Sequence, residues 1–226
     1  MAAEEHAYAH AQTEGVSMRY LLSGSIGEGA AGAAAVVVSI AGLAAFNAGM
    51  LIPIAIIVIG SALTFEGTAR AARFNRMLME VSRGEFREME MGGGVTVELI
   101  GGLVTMALGV LALLQVSMME LAPIAAIVAS ASILMGSATT ARMNAITIQR
   151  SKEPEEARAL AHVAMTSGTT LQAFVGLGGV VLGILAISGV YPGILTLVTT
   201  LSLGFALLIG GSALTGMATM IRGEQR

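Results

Sequence analysis

The sequence predicts an all-α, polytopic membrane protein in which six transmembrane helices form three parallel, tandem two-helix repeats. The composition is strongly apolar: 55% of the 226 residues are hydrophobic, 12% are charged, and the mean hydropathy is +0.80. The charge-free stretches are long enough to cross a bilayer, and three hairpins match one another when the sequence is laid on itself. A water-soluble domain of this length has a more balanced composition.

A membrane-spanning helix needs roughly 20 predominantly apolar residues. The charge-free stretches, with a few flanking residues, give six predicted spans: 28–46, 50–72, 95–116, 121–141, 168–189 and 192–221. Pro53, Pro123 and Pro192 fall near the starts of the second, fourth and sixth spans. We interpret them as helix starters, because a proline in the first helical turn sacrifices no hydrogen bond.

The basic residues predict how these spans are oriented. Every Lys and Arg lies before the first span, at or after the end of the second, after the fourth or after the sixth, whereas the opposite loops carry the single charge of Glu120. By the positive-inside rule, both termini face the cytoplasm and the chain resides in the inner, cytoplasmic membrane. The segment before the first span lacks the basic head and apolar core of a cleavable signal, so the first span is expected to direct insertion.

The repeats and the segments between them define the predicted domain organisation. The repeats are separated by two segments that mix charged and apolar residues at helical spacing, which predicts short amphipathic helices along the membrane interface. The units are an N-terminal cytoplasmic segment 1–23, hairpin repeats 24–73, 93–145 and 168–222, connectors 74–92 and 146–167, and a tail 223–226.

The first helices of the three repeats align, the third more loosely than the other two. A shift of 70 places Glu28 on Glu98, and a shift of 74 places Glu98 on Gln172. Because each unit crosses the bilayer twice, all three enter from the same side. The repeats can therefore pack about a pseudo-threefold axis along the membrane normal, and a linear array of hairpins is equally allowed.

The second helices align less regularly. At their starts a shift of 70 places Pro53 on Pro123, whereas toward their ends a shift of 69 places Gly67 on Gly136 and a shift of 75 places Gly136 on Gly211. Pro123 then meets Pro192 only if the outer turn of the third repeat is five residues shorter. These shifts predict that the third hairpin has the shorter outer turn.

Three aligned polar residues, Glu28, Glu98 and Gln172, fall near the starts of the odd-numbered spans. We interpret them as helix-capping positions, because the segments 25–28 and 169–172 fit a capping box, in which the fourth residue returns a hydrogen bond to the helix start. Ion handling is the alternative, since a carboxylate at membrane depth is by default a functional hypothesis.

Glu66 and Arg70 are spaced i, i+4 at the end of the second span, which predicts an interfacial ion pair. No Lys, Arg, Asp or Glu falls near the middle of any predicted span. This pattern argues against a proton pump, a voltage sensor or a carrier of charged substrates.

Many of the 29 glycines lie inside the spans, often seven positions apart. Small residues let membrane helices approach closely and associate through van der Waals contact. The positions predicted to serve helix packing are Gly60, Gly67, Gly102, Gly109, Gly136, Gly183, Gly204 and Gly211.

The residue types present give no sign of an enzyme. The chain has no Cys, no Trp and, within its 15 acidic residues, no Asp. No catalytic constellation, metal site or phosphate-binding loop is recognisable, so we expect no enzymatic activity and no cofactor. With a net charge of −3, nucleic acid is not an expected partner. The expected partners are the lipid bilayer and either further copies of the chain or other membrane subunits.

The repeat pattern resembles the HdeD-type acid-resistance membrane proteins. The resemblance covers most of residues 24–222 and is carried by helices such as 175–186, a proline near the turn, and a return helix ending like 207–214. It implies tandem two-helix repeats with six spans. That family has no accepted catalytic residues, so the resemblance implies no site residues.

Two functions are compatible with these features. The leading one is a non-enzymatic membrane protein that acts as an assembly or packing subunit of a homo-oligomer or larger complex, or as a stress-protective membrane component. The alternative is a small transporter or channel for a neutral or apolar solute, which requires a central hydrated path. The polar residues available to line such a path are Ser39, Asn47, Thr105, Ser130, Ser132 and Thr200.

Overall fold

The predicted all-α, polytopic fold is confirmed. The computed structural model describes residues 26–44, 49–80, 88–150 and 155–223. These contain six helices and no strand: α1 Ile26–Ala44, α2 Leu51–Glu80, α3 Glu88–Leu113, α4 Met118–Arg150, α5 Glu155–Ile187 and α6 Pro192–Gly223. Five helices are long and apolar enough to cross a bilayer, and α3 carries a shorter apolar stretch, Val97–Leu113. At 1.5 Å per residue that stretch covers about 25 Å, close to the thickness of the hydrocarbon region.

The six helices form two layers. The even-numbered helices α2, α4 and α6 contact one another, α3 packs between α2 and α4, and α5 packs between α4 and α6. Helix α1 packs against α6 and α2, because its glycines lie close to atoms of both helices. The share of the membrane span that is buried is accordingly 56% for α2, 56% for α4 and 44% for α6, against 33% for α1 and 28% for α5. Three inner helices are therefore surrounded by three outer ones.

The centre of the bundle is filled by apolar side chains of the inner helices. Each inner helix supplies a corresponding pair, Ile59 and Leu63, Ala129 and Ile133, and Leu203 and Leu207, and Ala62 of α2 and Ala35 of α1 complete the cluster. Corresponding positions are related by shifts of 70 and 74 along the chain. Membrane helices associate by such tight packing rather than by a hydrophobic driving force.

This spacing corrects the alignment of the second helices. Helices α4 and α6 begin at Met118 and Pro192, a shift of 74 that equals the shift between their core positions, so the third hairpin is not shortened. Pro192 is the first residue of its helix, but Pro123 is the sixth residue of α4 and does not start it. In the same register, Gly136 corresponds to Gly210 rather than to Gly211.

Two outer turns of the same type explain why the lengths agree. After α3, the Val116 N–H donates to Leu111 O at 3.1 Å and the Gln115 N–H to Ala112 O at 3.0 Å, with φ of 62° at Gln115. This is a Schellman motif, which ends a helix with one left-handed residue. After α5, equivalent bonds end the helix with Gly189 at φ 87°. We call this end of the bundle the turn end.

The connectors differ from the prediction of separate interfacial helices. Residues 74–80 continue α2, 88–92 begin α3, 146–150 continue α4 and 155–167 begin α5. Running on as one helix leaves fewer unsatisfied N–H and C=O groups than ending a helix at the membrane surface and starting another. The segments 1–23 and 224–226 lie outside the described part of the chain.

The outer surface of the bundle is apolar. Large hydrophobic side chains are exposed along the outer helices, among them Ile100, Leu103, Phe174, Leu177 and Val181. Of the 15 glutamates and 12 basic residues of the chain, those with described side chains are either buried or near the ends of the spans. An apolar exterior around polar buried groups is the arrangement expected in lipid.

Candidate functional site

Five polar side chains converge inside the bundle at the end opposite the turns. They are Glu28 of α1, Glu66 and Arg70 of α2, Glu98 of α3 and Gln172 of α5, and none is more than 9% exposed. We call this group the ionic cluster and this end of the bundle the charged end. Charged residues are rarely buried to this degree unless they are paired.

Arg70 is the centre of the ionic cluster. Its Nη1 donates to Glu98 Oε1, and its Nη2 donates to Glu66 Oε1 and, at 3.2 Å, to Gln172 Oε1. The amide nitrogen of Gln172 donates in turn to Glu66 Oε1 at 3.0 Å. One guanidinium therefore joins two carboxylates and an amide from α2, α3 and α5. The planar guanidinium is suited to this role, because its N–H donors point in several fixed directions.

Glu28 completes the cluster from α1. A methyl group on Gly210 of α6 would lie 2.8 Å from Glu28 Oε1 and 3.2 Å from Gln172 Nε2, so both side chains lie against the same point of α6. Glu28 also interacts electrostatically with Glu66 and Arg70. Its carboxyl group belongs to the same buried network.

Two glycines create the space that the cluster occupies. A Cβ atom at Gly136 of α4 would overlap the Glu98 carboxylate and the Arg70 guanidinium, and one at Gly210 would crowd Glu28 and Gln172. In the register of the central core, Glu66, Gly136 and Gly210 are equivalent positions on the three inner helices. One inner helix supplies a carboxylate there, and the other two supply room for the neighbouring side chains.

The capping interpretation of Glu98 and Gln172 is wrong. Helix α3 begins at Glu88 and α5 at Glu155, so both residues lie several turns inside their helices, where no free N–H groups need capping. Glu28 is the third described residue of α1, but it is 1% exposed and lies against Gln172 and α6. Glu98 and Gln172 instead accept hydrogen bonds from Arg70 inside the bundle, where lipid offers none.

The structure contains the Glu66–Arg70 ion pair that the i, i+4 spacing predicts. The pair is not at a solvated interface, however, since the two residues are 3% and 9% exposed. Glu98 joins it as a second ion-pair partner from another helix. The sequence pattern identified the pair, but it could not show what covers it.

The cluster lies within the membrane-spanning segments, near one end. Glu28 is sixteen positions from the turn-end limit of its span, Ala44, a distance of about 24 Å along a helix. Arg70 is directly followed by the last residue of the span Leu51–Ala71, and Glu98 is the second residue of the apolar stretch of α3. The cluster is therefore buried inside the bundle and a short distance from one membrane surface.

Two carboxyl oxygens of the cluster have no hydrogen-bond partner. Glu66 and Glu98 each use Oε1 to accept from Arg70, and each leaves a buried Oε2 unsatisfied. Among the described residues, no three His, Cys, Asp or Glu side chains are placed to hold a metal ion together. The cluster thus has unused acceptor capacity but does not form a metal centre within the described part of the chain.

The hydroxyl groups considered for a central path do not line one. Ser39 and Thr200 hydrogen-bond to each other at 2.8 Å, and Ser130 and Ser132 donate to carbonyls one turn back in their own helix. Thr105 is buried with an unsatisfied hydroxyl. The sixth candidate, Asn47, lies outside the described residues.

The structure has a small cavity at the turn end, lined by Ile52, Met118, Met119, Ala122, Pro123, Pro192 and Gly193. Its volume of about 10 Å³ is about that needed for a single water molecule. A solute path would need a much larger space.

Most of the glycines predicted to serve packing lie at close helix–helix contacts. A methyl group on Gly60 would lie 2.8 Å from Gly102 O, and one on Gly204 would lie 3.0 Å from Gly32 O. Further contacts join α2 with α3 at Gly67 and Gly109, α4 with the ionic cluster at Gly136, and α5 with α4 at Gly183. Gly211 lies beyond the described side chains.

The architecture and the buried network define a polytopic, all-α integral membrane protein with an ionic cluster inside its helix bundle. Comparison of the chain with protein-family models, curated proteins and solved structures gives no match.

Proposed function

We propose that this protein is a non-enzymatic membrane subunit that associates with further copies of itself, or with other membrane proteins, through the outer face of α1. Its bundle serves as a rigid scaffold that presents this face. The observation that carries the proposal is the contrast between the outer surface of α1 and those of the other two outer helices.

One exposed stripe of α1 is formed mainly by small side chains. Ala30, Ala34, Ala41 and Ala44 are all exposed there, the larger exposed side chains on or beside this stripe being Ile26, Val37 and Ile40. Small residues at helical spacing allow a second helix to approach closely, and interfaces between membrane helices are enriched in them. A stripe of this kind offers little apolar bulk to lipid but close backbone contact to another helix.

The corresponding stripe of α3 is formed mainly by bulky side chains. A shift of 70 from the four alanines leads to Ile100, Val104, Leu111 and Leu114, all of them exposed. Two further equivalent positions after a shift of 74 are bulky and exposed, Phe174 and Leu185 of α5, whereas the other two, Gly178 and Ser188, are small. Bulky aliphatic and aromatic side chains suit a surface that faces lipid tails. The alanine stripe of α1 is therefore the surface best suited to helix contact.

The closed centre of the bundle also favours this function over a transporter or channel for a neutral solute. Apolar side chains fill the axis between the inner helices. The serine hydroxyls of the inner helix α4 are bonded to its own carbonyls. A protein that acts through its surface needs no hydrated path.

The proposal includes the membrane orientation and the family resemblance that the sequence predicts for this chain. The positive-inside rule places the charged end and both termini on the cytoplasmic side of the inner membrane. The resemblance to HdeD-type acid-resistance proteins supports a stress-protective role for the assembly.

The test is the mass of the particle extracted from its own membrane with a lipid-retaining polymer, measured by light scattering and with its proteins identified by mass spectrometry. We expect several copies of the chain, or a fixed ratio to another membrane protein. Ala34→Leu should reduce the particle to a single chain, because the larger side chain blocks close approach. Ala107→Leu, at an exposed alanine of α3, is the matched control and should leave the mass unchanged.

A wild-type particle that contains one chain and no other protein would contradict the proposal. An Ala34→Leu particle with unchanged mass would contradict the assignment of the contact to α1.

A further inference from the structure

We propose that the ionic cluster is a proton-binding site that exchanges protons with one side of the membrane. The ligand is the proton itself, bound by the carboxyl groups of Glu28, Glu66 and Glu98 around Arg70. This inference is independent of the proposed assembly function.

The first argument is charge balance. The cluster holds three carboxyl groups and one guanidinium, and its fifth member, Gln172, is neutral. With every carboxyl ionised, the buried group would carry two excess negative charges. Carboxylates that share a buried site repel one another strongly in a medium of low dielectric constant. Protons are the smallest cations that can remove this excess.

No other described side chain supplies the missing positive charge. The remaining charged residues with described side chains are Glu120 at the turn end and Arg142 near the end of α4, and both are exposed. Helices α4, α5 and α6 face the cluster with Gly136, Gln172 and Gly210, none of which carries a charge. Among the side chains that the structure describes, Arg70 is therefore the one buried cation.

The second argument comes from the unsatisfied oxygens. Glu66 Oε2 and Glu98 Oε2 are buried and accept no hydrogen bond. A buried carboxylate oxygen without a donor is costly, whereas a protonated carboxyl group is neutral and gains a donor of its own. Since the described residues form no three-ligand metal site, a proton fits these oxygens better than a metal ion does.

Exchange with one side follows from the position of the cluster. Arg70 lies at the end of its span, whereas toward the turn end the axis is filled by apolar side chains such as Ile59, Leu63 and Ile133. A carboxyl group that releases its proton becomes a carboxylate, and the proton leaves toward the nearer membrane surface. The site can thus report the pH of one compartment without conducting protons across the membrane.

The test is infrared spectroscopy of the protein in lipid nanodiscs, in which a protonated carboxyl group gives its own C=O band that shifts in D₂O. Exposed glutamates are ionised at pH 7, so a protonated-carboxyl band at that pH reports buried groups. We expect the wild type to show this band and to lose it as the pH is raised. The proposal is contradicted if the wild type shows no such band at pH 7.

Variants assign the band to the cluster. Glu28→Gln removes one negative charge and leaves Arg70 with both of its ion-pair partners, so the variant should fold and lose about half of the band. Glu98→Gln should lower the band as well, because each neutralised carboxyl removes the need for one proton. Glu120→Gln, at an exposed position of the turn end, is the matched control and should keep the full band.

Circular dichroism and elution volume establish that each variant is folded. A band of unchanged intensity in folded Glu28→Gln and Glu98→Gln would overturn the proposal.

Discussion

The charged end and the turn end bring the same helices together by different means. At the turn end, short turns join α3 to α4 and α5 to α6, and the side chains between the inner helices are apolar, among them Ile52, Ala122 and Leu197. At the charged end the helices run on beyond the apolar spans, and side chains of α1, α2, α3 and α5 meet in the ionic cluster.

This difference shows where directional interactions are needed. A short turn fixes the separation and register of two helices covalently, so apolar contacts suffice to complete the packing. At the charged end the helices run on past the apolar spans, so no turn joins them at the level of the cluster, and there one guanidinium is bonded to side chains of three helices. Buried ion pairs are a costly way to gain stability, but they can specify a single arrangement. We infer that the ionic cluster sets the register of the charged end.

The largest effect is expected from Arg70→Met. The substitution leaves Glu66 and Glu98 buried without a cation, which should lower the free energy of unfolding by about 3–5 kcal/mol. Arg142→Met, at an exposed arginine, should change it by less than about 1 kcal/mol. Both are measured by unfolding in mixed micelles with a denaturing detergent. Equal losses in the two variants would show that the charged end does not depend on its buried cation.

A smaller effect is expected from a glycine substitution at each end. Gly136→Ala at the charged end places a methyl group against the Glu98 carboxylate and Arg70, and such overpacking should cost about 1–3 kcal/mol. Gly193→Ala at the turn end meets only Ile52 Cδ1, at 3.2 Å, and should cost nothing, because alanine favours the helix. The same unfolding assay compares them. A larger loss of unfolding free energy in Gly193→Ala than in Gly136→Ala would show that the helices are packed more tightly at the turn end than at the charged end.

Much of the fold could be predicted from the sequence. Absence of charge over roughly 20 residues is a sufficient signal for a spanning helix. The membrane-spanning parts of α2 and α5 begin and end close to the predicted limits. The connectors were harder, since a mixture of charged and apolar residues at helical spacing fits both a separate interfacial helix and the extension of a spanning one.

The ionic cluster could be predicted only in part. Its five residues were recognised as polar positions, but capping boxes are short patterns that also occur inside helices, as at Gln172. The decisive information was the register of the inner helices. Shifts of 69 and 75 matched Gly67 and Gly211 to Gly136 by residue type, whereas the packed helices place Gly136 level with Glu66 and Gly210.

Composition could not reveal this register, because glycines are frequent in these helices and several shifts match similar residues. Contact geometry resolves the ambiguity. Only when Glu66 lies level with two glycines do the carboxyl groups of neighbouring helices have room to converge on Arg70.

The most direct test of the account is a double-mutant cycle between Arg70 and Glu98, which lie on different helices and are joined only within the folded bundle. Free energies of unfolding would be measured for Arg70→Met, Glu98→Gln and the double variant. The account predicts that the double variant is more stable than the sum of the single losses implies, by a coupling of about 1–3 kcal/mol. Losses that add within about 0.5 kcal/mol would contradict it, since residues without contact are independent.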